Sequence, residues 1–346
     1  MVKKLRFGLI GCGLISDFHG KAINASTGGE LVAAADMRPE RAQACVEKYG
    51  GKAMTIDELL ADPSIDVVNV LTPNAYHGQY VIKAAQAGKH VLVEKPPEMT
   101  LEKVDEMAAA CRQAGVKLGV VLNVRTRTAI QAIKKAIDSG RFGRIVAADA
   151  YMKWYRSTDY YMMDDWRSSR AQGAGVIIQH AFHYIDLLQY LAGPVDKVMA
   201  KTMNLAHPQV QLEDTVQAFL TYKNGATGVV QASTALFPGT DIRIEINGEN
   251  GTAVMVGERI DTWKFRDEQP EDAQIRKIGV ASQGTAATGA ADFGIEEHLR
   301  IVNDMIQAIN EDRQPFVTVE SARTTLAIAL AMYESADAGS IEVDVK

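Results

Sequence analysis

A glycine-rich turn between a strand pattern and a helix pattern constrains the fold of this chain more than any other feature. The apolar run Leu5–Ile10 leads into the segment Gly11–Ser16, and a helix pattern follows directly. Gly11 permits a tight turn, Gly13 lets a ligand approach the backbone, and Ser16 is small enough for the helix to pack closely on the strand. This arrangement predicts a strand–turn–helix unit with an anion site at the helix N-terminus.

An acidic residue follows this turn at a distance typical of dinucleotide-binding units. The second strand pattern, Leu31–Ala35, ends at Asp36. A carboxylate roughly 20 residues beyond such a turn accepts hydrogen bonds from the adenosine ribose and repels a 2′-phosphate. The sequence therefore predicts NAD as the cofactor. The nearby cation Arg38 leaves NADP open as the less favoured alternative.

Strand and helix patterns then alternate through the first third of the chain. Apolar runs at 67–71, 90–93 and 116–122 predict three further strands, with helices between them. Alternation of this kind is typical of a parallel, doubly wound sheet with helices on both faces. We predict an α/β fold in which residues 1–123 form a dinucleotide-binding Rossmann domain.

The pattern changes after residue 143. A long helix pattern at 175–191 precedes six strand patterns, and short turns such as Lys223-Asn224-Gly225 and Asn247-Gly248 predict antiparallel hairpins. Residues 124–346 are therefore expected to form an α+β domain with one open, largely antiparallel sheet. A Gly- and Ala-rich stretch at 281–291 predicts a mobile loop. Two late helices follow. For the one at 321–336, packing against the first domain is an alternative to packing within the second.

A lysine stands where the predicted parallel sheet opens into its ligand crevice. Glu94-Lys95-Pro96 follows the strand pattern His90–Val93. A Lys in that position can hold an alkoxide or carbonyl oxygen as a compact cation. The triplet alone is weak evidence for an active site, because strand ends often carry charge. The dinucleotide turn that precedes it in the chain strengthens this prediction.

The helix pattern at 175–191 carries polar residues of an unusual kind. Gln179, His183, Asp186 and Tyr190 share one stripe of an otherwise apolar helix. A solvated stripe is normally built from Lys, Glu and Arg, so this one predicts a polar cleft with His183 as a functional residue. His180 lies off the stripe and is a weaker candidate for substrate contact.

The segment before this helix is rich in aromatic and Arg side chains. Such side chains suit a polyhydroxylated or phosphorylated ligand, and they equally suit an oligomer contact. They are Tyr155, Arg156, Tyr160, Tyr161, Trp166 and Arg167.

Taken together, these motifs resemble the glucose–fructose oxidoreductase, inositol dehydrogenase and rhizopine catabolism (Gfo/Idh/MocA) family over essentially the whole chain. The resemblance rests on Gly11–Ser16, Asp36, Glu94-Lys95-Pro96 and the block 173–186. It implies that Lys95 and His183 act on one substrate hydroxyl: His183 removes its proton while Lys95 stabilises the alkoxide. Many members carry Asp where this chain has Gln179, so inositol-type specificity does not transfer. Some sugar-nucleotide members carry an amide there.

The motifs and their places in the predicted elements give a set of candidate binding residues. The predicted substrate-binding residues are Gln179, Arg167, Trp166 and His180. The predicted cofactor-binding residues are Gly11, Gly13, Leu14, Ile15, Asp36, Arg38, Thr72, Asn74, His77, Glu94 and Lys95.

The expected activity is reversible hydride transfer between the nicotinamide and a secondary alcohol of a sugar, cyclitol or nucleotide sugar. Two alternatives remain: a cofactor-binding regulatory protein without catalysis, and a reductase of a non-carbohydrate carbonyl. The net charge of −6 argues against nucleic acid or anionic membrane as a partner. Zinc-ligand spacing is missing from the sequence, and no metal is expected. Three isolated Cys and a start without a secretory pattern favour the cytoplasm. Relatives commonly form homodimers or homotetramers.

Overall fold

The computed structural model describes residues 4–280 and 294–346. They divide into two compact units, one of residues 4–123 with 294–323 and the other of residues 124–280 with 324–346. The segment 294–323 is a correction, because the sequence analysis assigned it to the second domain. The loop predicted at 281–291 lies outside the described residues.

Fourteen strands form two sheets in the described part of the chain. They are β1 (Leu5–Ile10), β2 (Gly29–Ala35), β3 (Lys52–Ala53), β4 (Val67–Val70), β5 (His90–Glu94), β6 (Leu118–Val121), β7 (Ile145–Lys153), β8 (Val195–Met203), β9 (Thr215–Tyr222), β10 (Thr227–Ser233), β11 (Arg243–Gly248), β12 (Gly251–Val256), β13 (Arg259–Phe265) and β14 (Val343–Asp344). The first sheet has the order β3-β2-β1-β4-β5-β6, with every neighbouring pair parallel. This confirms the predicted doubly wound sheet.

Helices connect these strands. They are α1 (Ser16–Ala25), α2 (Pro39–Tyr49), α3 (Ile56–Ala61), α4 (His77–Gln86), α5 (Leu101–Ala114), α6 (Thr128–Asp138), α7 (Thr158–Met162), α8 (Phe182–Ala192), α9 (Asp272–Ile275), α10 (Glu296–Asn310) and α11 (Val319–Asp337). Residues at the N-termini explain where two of these helices begin. Thr100 Oγ1 accepts from Lys103 N at 3.3 Å at the start of α5, and Pro39 is the first residue of α2. None of the described helices is both long and apolar enough to cross a bilayer.

The late helix α10 belongs to the first unit because it packs against α1. The close approach is possible because Gly28 has no side chain: a Cβ there would lie 2.9 Å from Ile306 Cγ2. Arg323, near the start of α11, donates to Asp105 of α5 at 2.7 Å. Residues from Thr324 onward group with the second unit.

The second unit is built on an eight-stranded sheet with the order β13-β12-β11-β7-β10-β9-β8-β14. Its neighbours are antiparallel except β7 and β10, which are parallel. The hairpins β9–β10 and β11–β12 confirm the predicted turns. The sequence analysis missed β7 and β14, although β7 lies near the middle of the sheet.

The two faces of this sheet differ in burial. Helix α8 packs against β7 and β11, and Val230 and Ala232 of β10 point into the covered face with 1% exposure each. Their neighbours Val229 and Gln231 lie half-buried on the other face. The structure therefore shows which side chains of β10 face the covered side of the sheet, a point that the alternation of residues along the strand left open.

Candidate active site

The glycine-rich turn between β1 and α1 has the geometry of an anion site. Gly11 has φ +101°, and its amide donates to Ala35 O at 2.9 Å. Among residues 4–280 and 294–346, no acceptor is recorded for the amides of Gly13, Leu14 and Ile15. These donors lie at the N-terminus of α1, where the helix dipole adds partial positive charge. The turn can therefore receive a pyrophosphate.

The two glycines of the turn serve different purposes. A Cβ on Gly11 would lie 2.7 Å from the main-chain carbonyl carbon of Leu71, so the fold requires glycine there. A Cβ on Gly13 would meet nothing within 4 Å. The space beside Gly13 is what a ligand approaching the backbone needs.

Asp36 closes the end of β2 beside this turn. Its Oδ2 accepts from Cys12 N at 2.7 Å, and its Oδ1 accepts from Arg38 N at 2.8 Å. Each carboxylate oxygen keeps further acceptor capacity. Asp36 is half-buried and the Arg38 side chain is exposed. These contacts fit a carboxylate that accepts from a ribose.

Lys95 follows the last residue of β5, at the same carboxyl edge of the sheet as the turn and Asp36. The side chain is half-buried. Burial lowers the pKa of Lys95, and the negative charge of Glu94 opposes that shift. A desolvated ammonium of this kind stabilises a developing oxyanion more strongly than one in water.

His77, a predicted cofactor contact, has a fully enclosed side chain. Its ring is 0% exposed, and its two nitrogens lie 2.8 Å from Pro96 O and 2.9 Å from Thr72 O. Burial lowers the pKa of His77. The ring therefore packs between the chain after β4 and the chain after β5. Asn74, at the start of the 3₁₀ turn Asn74–Tyr76, is 8% exposed.

Glu94, another predicted cofactor contact, has its side chain turned into the first unit. It is 8% exposed, and its Oε1 lies 3.0 Å from His19 Nε2. Burial alone raises the pKa of Glu94, but the hydrogen bond from His19 and the charge of Lys95 oppose burial, and the pKa lies at about 2. The side chain of Glu94 is thus an internal carboxylate.

The predicted helix at 175–191 is not uniform. Residues Val176–Ala181 form a π-helical segment, and α8 starts only at Phe182. The wider π turn changes the angular spacing of its residues, so Gln179 is displaced from the predicted stripe, whereas His183, Asp186 and Tyr190 still share one face of α8. Segments of this kind often occur at functional sites.

Asp186, assigned to that stripe, is an internal residue. It is 1% exposed and accepts from Arg125 Nε at 2.7 Å and from Thr325 Oγ1 at 2.7 Å. Tyr190 is engaged as well, because Gln131 Nε2 donates to its hydroxyl at 3.3 Å. The sequence analysis missed Arg125, since nothing local marks it as the partner of Asp186.

His183 lies in the first turn of α8 and is half-buried. Its ring centroid is 6.5 Å from that of Tyr184. The covered neighbours on the helix, Phe182 and Ile185, are each 0% exposed and anchor α8 in the second unit. His183 is therefore a partly accessible imidazole on a rigid element, as an acid–base group requires.

The structure brings several predicted substrate residues of the second unit together. Gln179 Nε2 donates to Tyr160 Oη at 2.7 Å. The Arg167 guanidinium lies 4.7 Å from the centres of the Tyr160 and Trp166 rings, and the ring of His180 lies 5.7 Å from that of Tyr160. This aromatic and cationic cluster is suited to stacking on and hydrogen bonding with a sugar.

Other aromatic residues of the same segment are structural. Tyr161 is 1% exposed, and its hydroxyl lies 2.6 Å from Thr234 Oγ1. Tyr155 packs edge-on against Phe237 with ring centres 5.2 Å apart. Within this segment, Tyr155 and Tyr161 are therefore structural, whereas Tyr160, Trp166 and Arg167 belong to the cluster around Gln179.

Gly175, just before the π-helical segment, lets the side chain of Glu213 pack against the main chain. Gly175 has φ +111°, and a Cβ there would lie 2.7 Å from the carboxyl carbon of Glu213. Glu213 Oε1 accepts from Tyr333 Oη at 2.6 Å and from Ile177 N at 3.3 Å. Burial raises the pKa of Glu213. These contacts fix the main chain just before Gln179.

Comparison with protein families agrees with this architecture. Residues 5–122 match the model described as an oxidoreductase family with an NAD-binding Rossmann fold. Residues 130–254 match the GFO/IDH/MocA C-terminal domain.

Individual relatives extend over nearly the whole chain. A 1,5-anhydro-D-fructose reductase of Ensifer adhaerens is 32% identical over 96% of this chain and 97% of its own length. The WlbA dehydrogenase of Bordetella pertussis, crystallised with NADH and UDP-GlcNAcA, has a TM-score of 0.89 at 34% identity, covering 99% of this chain and 98% of that one. A levoglucosan dehydrogenase, crystallised with NADH and levoglucosan, has a TM-score of 0.85 at 28% identity, covering 99% of both chains.

Proposed function

The chain belongs to the GFO/IDH/MocA family of NAD-binding oxidoreductases, and on that premise we propose that it transfers a hydride between NAD and a secondary alcohol of a sugar, cyclitol or nucleotide sugar. One observation in the first unit carries the proposal. The open turn at Gly13 and the half-buried cation Lys95 both follow strands of one parallel sheet at its carboxyl edge. Ligands of such sheets bind at that edge.

The residues of the turn fit the cofactor. The amides of Gly13, Leu14 and Ile15 would receive the pyrophosphate, and Asp36 would accept from the adenosine ribose. The bound nicotinamide would supply the hydride chemistry. In the proposed reaction, Lys95 stabilises the alkoxide and His183 takes up or returns the hydroxyl proton. Gln179, with Arg167, Trp166 and His180, binds the substrate.

The experiment that tests this function is a substrate panel. Sugars, cyclitols and nucleotide sugars are incubated with NAD, and NADH formation is followed by absorbance. We expect turnover with at least one member. Tight NADH binding without turnover on the panel, or on a set of non-carbohydrate carbonyls with NADH, would favour the sensing alternative.

Asp36 is expected to set the cofactor preference. Asp36→Asn keeps an oxygen that can accept from Cys12 N but removes the charge that repels a 2′-phosphate. Loss of that repulsion should narrow the preference for NAD over NADP roughly 10- to 100-fold, or about 1.4–2.8 kcal/mol. The measurement is kcat/KM for both cofactors. A wild type that prefers NADP would contradict the prediction and give Arg38 the deciding role.

We also propose that a second copy of the chain covers the open face of the eight-stranded sheet. Phe219 of β9 is 61% exposed and lies between Met199 of β8 and Val229 of β10 in the strand register. Charged residues share this face: Glu245 lies farther along the same row, beside Asp149 of β7, and Lys201 lies in the adjacent row opposite Gln217. When two copies of this face meet about a two-fold axis, the acidic residues of one copy can lie opposite the basic residues of the other while the apolar residues pack together.

Phe219→Glu is expected to convert the oligomer into monomers. The added charge would be buried against a second copy, at a cost that an interface of this kind does not tolerate. Light scattering after gel filtration measures the mass. Leu205→Glu, at a 64% exposed site in a loop outside the sheet, is the control. A monomeric wild type at micromolar concentration would refute the proposed interface.

A cytoplasmic location is a further proposal. It rests on the three cysteines, Cys12, Cys45 and Cys111, all of which are free thiols.

A further inference from the structure

Two histidines enclose the carboxylate of Glu94 inside the first unit. His19 of α1, Glu94 of β5 and His298 of α10 place one ligand-type atom each within 4.8 Å of one another. All three side chains are buried, with exposures of 1%, 8% and 6%. They come from three elements that are far apart in the chain, and no sequence motif links them.

The contact with Glu94 places a proton on one nitrogen of the His19 ring. Asn69 Nδ2 lies 2.9 Å from His19 Nδ1, on the opposite side of the ring from Glu94. Because Glu94 is ionised and can only accept, Nε2 of His19 must carry the proton that bridges the 3.0 Å to Oε1. Nδ1 is then free to accept from the Asn69 amide.

The His298 ring also lies near Oε1 of Glu94. Its Nε2 lies 3.9 Å from Glu94 Oε1, and its Nδ1 lies 3.4 Å from Asn123 Nδ2. Burial lowers the pKa of His298 to about 4, so the ring is neutral at physiological pH. The ring of Phe18 stacks on it with centres 5.5 Å apart.

Hydrogen bonding accounts for the shorter contact in this cluster. Oε1 of Glu94 lies 3.0 Å from His19 Nε2 and 3.9 Å from His298 Nε2. Only the first of these distances is a hydrogen bond, so the hydrogen-bonded chain runs through His19 and Glu94.

The second oxygen of Glu94 connects this chain to the proposed active site. Oε2 accepts from the main-chain amide of Lys95 at 3.1 Å. A continuous path therefore runs from Asn69 on β4 through His19 and Glu94 to the backbone of Lys95. His19 belongs to α1, whose N-terminus forms the glycine-rich turn.

We propose that His19 is a positioning residue for the reaction: it holds Glu94 so that Glu94 fixes the backbone at Lys95 relative to the dinucleotide turn. The inference rests on the catalytic role proposed for Lys95. Without the hydrogen bond from His19, the carboxylate rotates and Lys95 loses the geometry that a productive alkoxide contact requires. The negative charge of Glu94 also opposes the lowering of the Lys95 pKa by burial.

Three substitutions at one position test this role. His19→Leu fills similar volume without a donor. His19→Gln can place an amide N–H near the position of Nε2 and so restore the bond to Glu94. His19→Asn can keep a partner for Asn69 but is too short to reach Glu94. Ile23→Ala, a 0% exposed site on the same helix, is the control for lost packing.

Turnover and cofactor binding are expected to respond differently. In His19→Leu and His19→Asn, kcat should fall roughly 10- to 100-fold, while the Kd for NADH, measured by fluorescence titration, should change less than about threefold. His19→Gln should recover most of the lost kcat. Ile23→Ala should lower the unfolding temperature and leave kcat unchanged. If His19→Leu does not fold, the contrast between the Gln and Asn variants decides the same question.

A measurement without substrate tests the geometry directly. The ¹⁵N NMR spectrum of the imidazoles should show His19 as the Nε2–H tautomer, and a His19 that is Nδ1–H overturns the proposal. So does stoichiometric zinc whose removal changes the ¹⁵N shifts of His19. If Lys95→Met abolishes turnover while His19→Leu and His19→Asn keep full kcat, the positioning role is refuted and the proposed function stands. Full activity of Lys95→Met refutes the proposed catalytic role instead.

Discussion

Replacing Lys95 by Met or His183 by Asn is expected to lower turnover by about 10²–10⁴-fold, the usual contribution of a positioned acid–base group. Lys95→Met keeps the length of the side chain and removes the ammonium that faces the alkoxide. His183→Asn keeps a hydrogen-bonding group and removes the ability to cycle a proton. NADH binding should survive in both variants, because neither side chain takes part in the turn that holds the pyrophosphate.

The measurement is kcat and kcat/KM on the substrate that the panel identifies, together with NADH affinity. Lys83→Met is the matched control for Lys95, since Lys83 is a 54% exposed side chain on α4 of the same unit. Lys83→Met should keep wild-type kinetics. Full activity in Lys95→Met or in His183→Asn would refute the proposed mechanism and make the sensing alternative the better account.

Gly13→Val is expected to abolish NAD(H) binding and leave the fold intact. A Cβ at Gly13 meets nothing within 4 Å, so the folded chain accommodates the branched side chain. The same side chain occupies the approach to the amides at the start of α1. Loss of two amide hydrogen bonds to a charged pyrophosphate costs about 3–6 kcal/mol, or roughly 10²–10⁴-fold in Kd.

Gly11→Ala provides the contrasting control. Gly11 has φ +101°, and an added Cβ would collide with the main chain at Leu71. This variant should lose about 1–3 kcal/mol of stability, measured by urea unfolding, whereas Gly13→Val should unfold like the wild type. Unchanged NADH affinity in a folded Gly13→Val protein would show that the cofactor does not lie against this turn.

The first unit was largely predictable because its signals are local. Each strand of the parallel sheet is a short apolar run, and each helix has its own start and stop residues. The edge that carries Asp36 and Lys95 follows from topology alone, since parallel strands end on the same side. Only the two-residue strand β3, too short to leave a pattern, was missed.

The second unit shows where sequence patterns stop being sufficient. Strand β7 reads as Ile-Val-Ala-Ala-Asp-Ala-Tyr-Met-Lys, and its partners β10 and β11 lie far along the chain. A strand without a hairpin neighbour gives no turn signal, and small Ala residues give weak periodicity. The π-helical segment Val176–Ala181 was missed for a related reason: helical periodicity assumes 3.6 residues per turn.

The sequence by itself determined the dinucleotide turn, the candidate cofactor, and Lys95 and His183 as candidate catalytic residues, because these depend on residue type at short spacing. Only the tertiary structure decided which polar residues are internal. Asp186 pairs with Arg125, His77 lies between two carbonyl oxygens, and Glu94 is enclosed by His19 and His298. A buried polar group must find a partner, and the fold, not the local spacing, determines which partner comes within 3 Å.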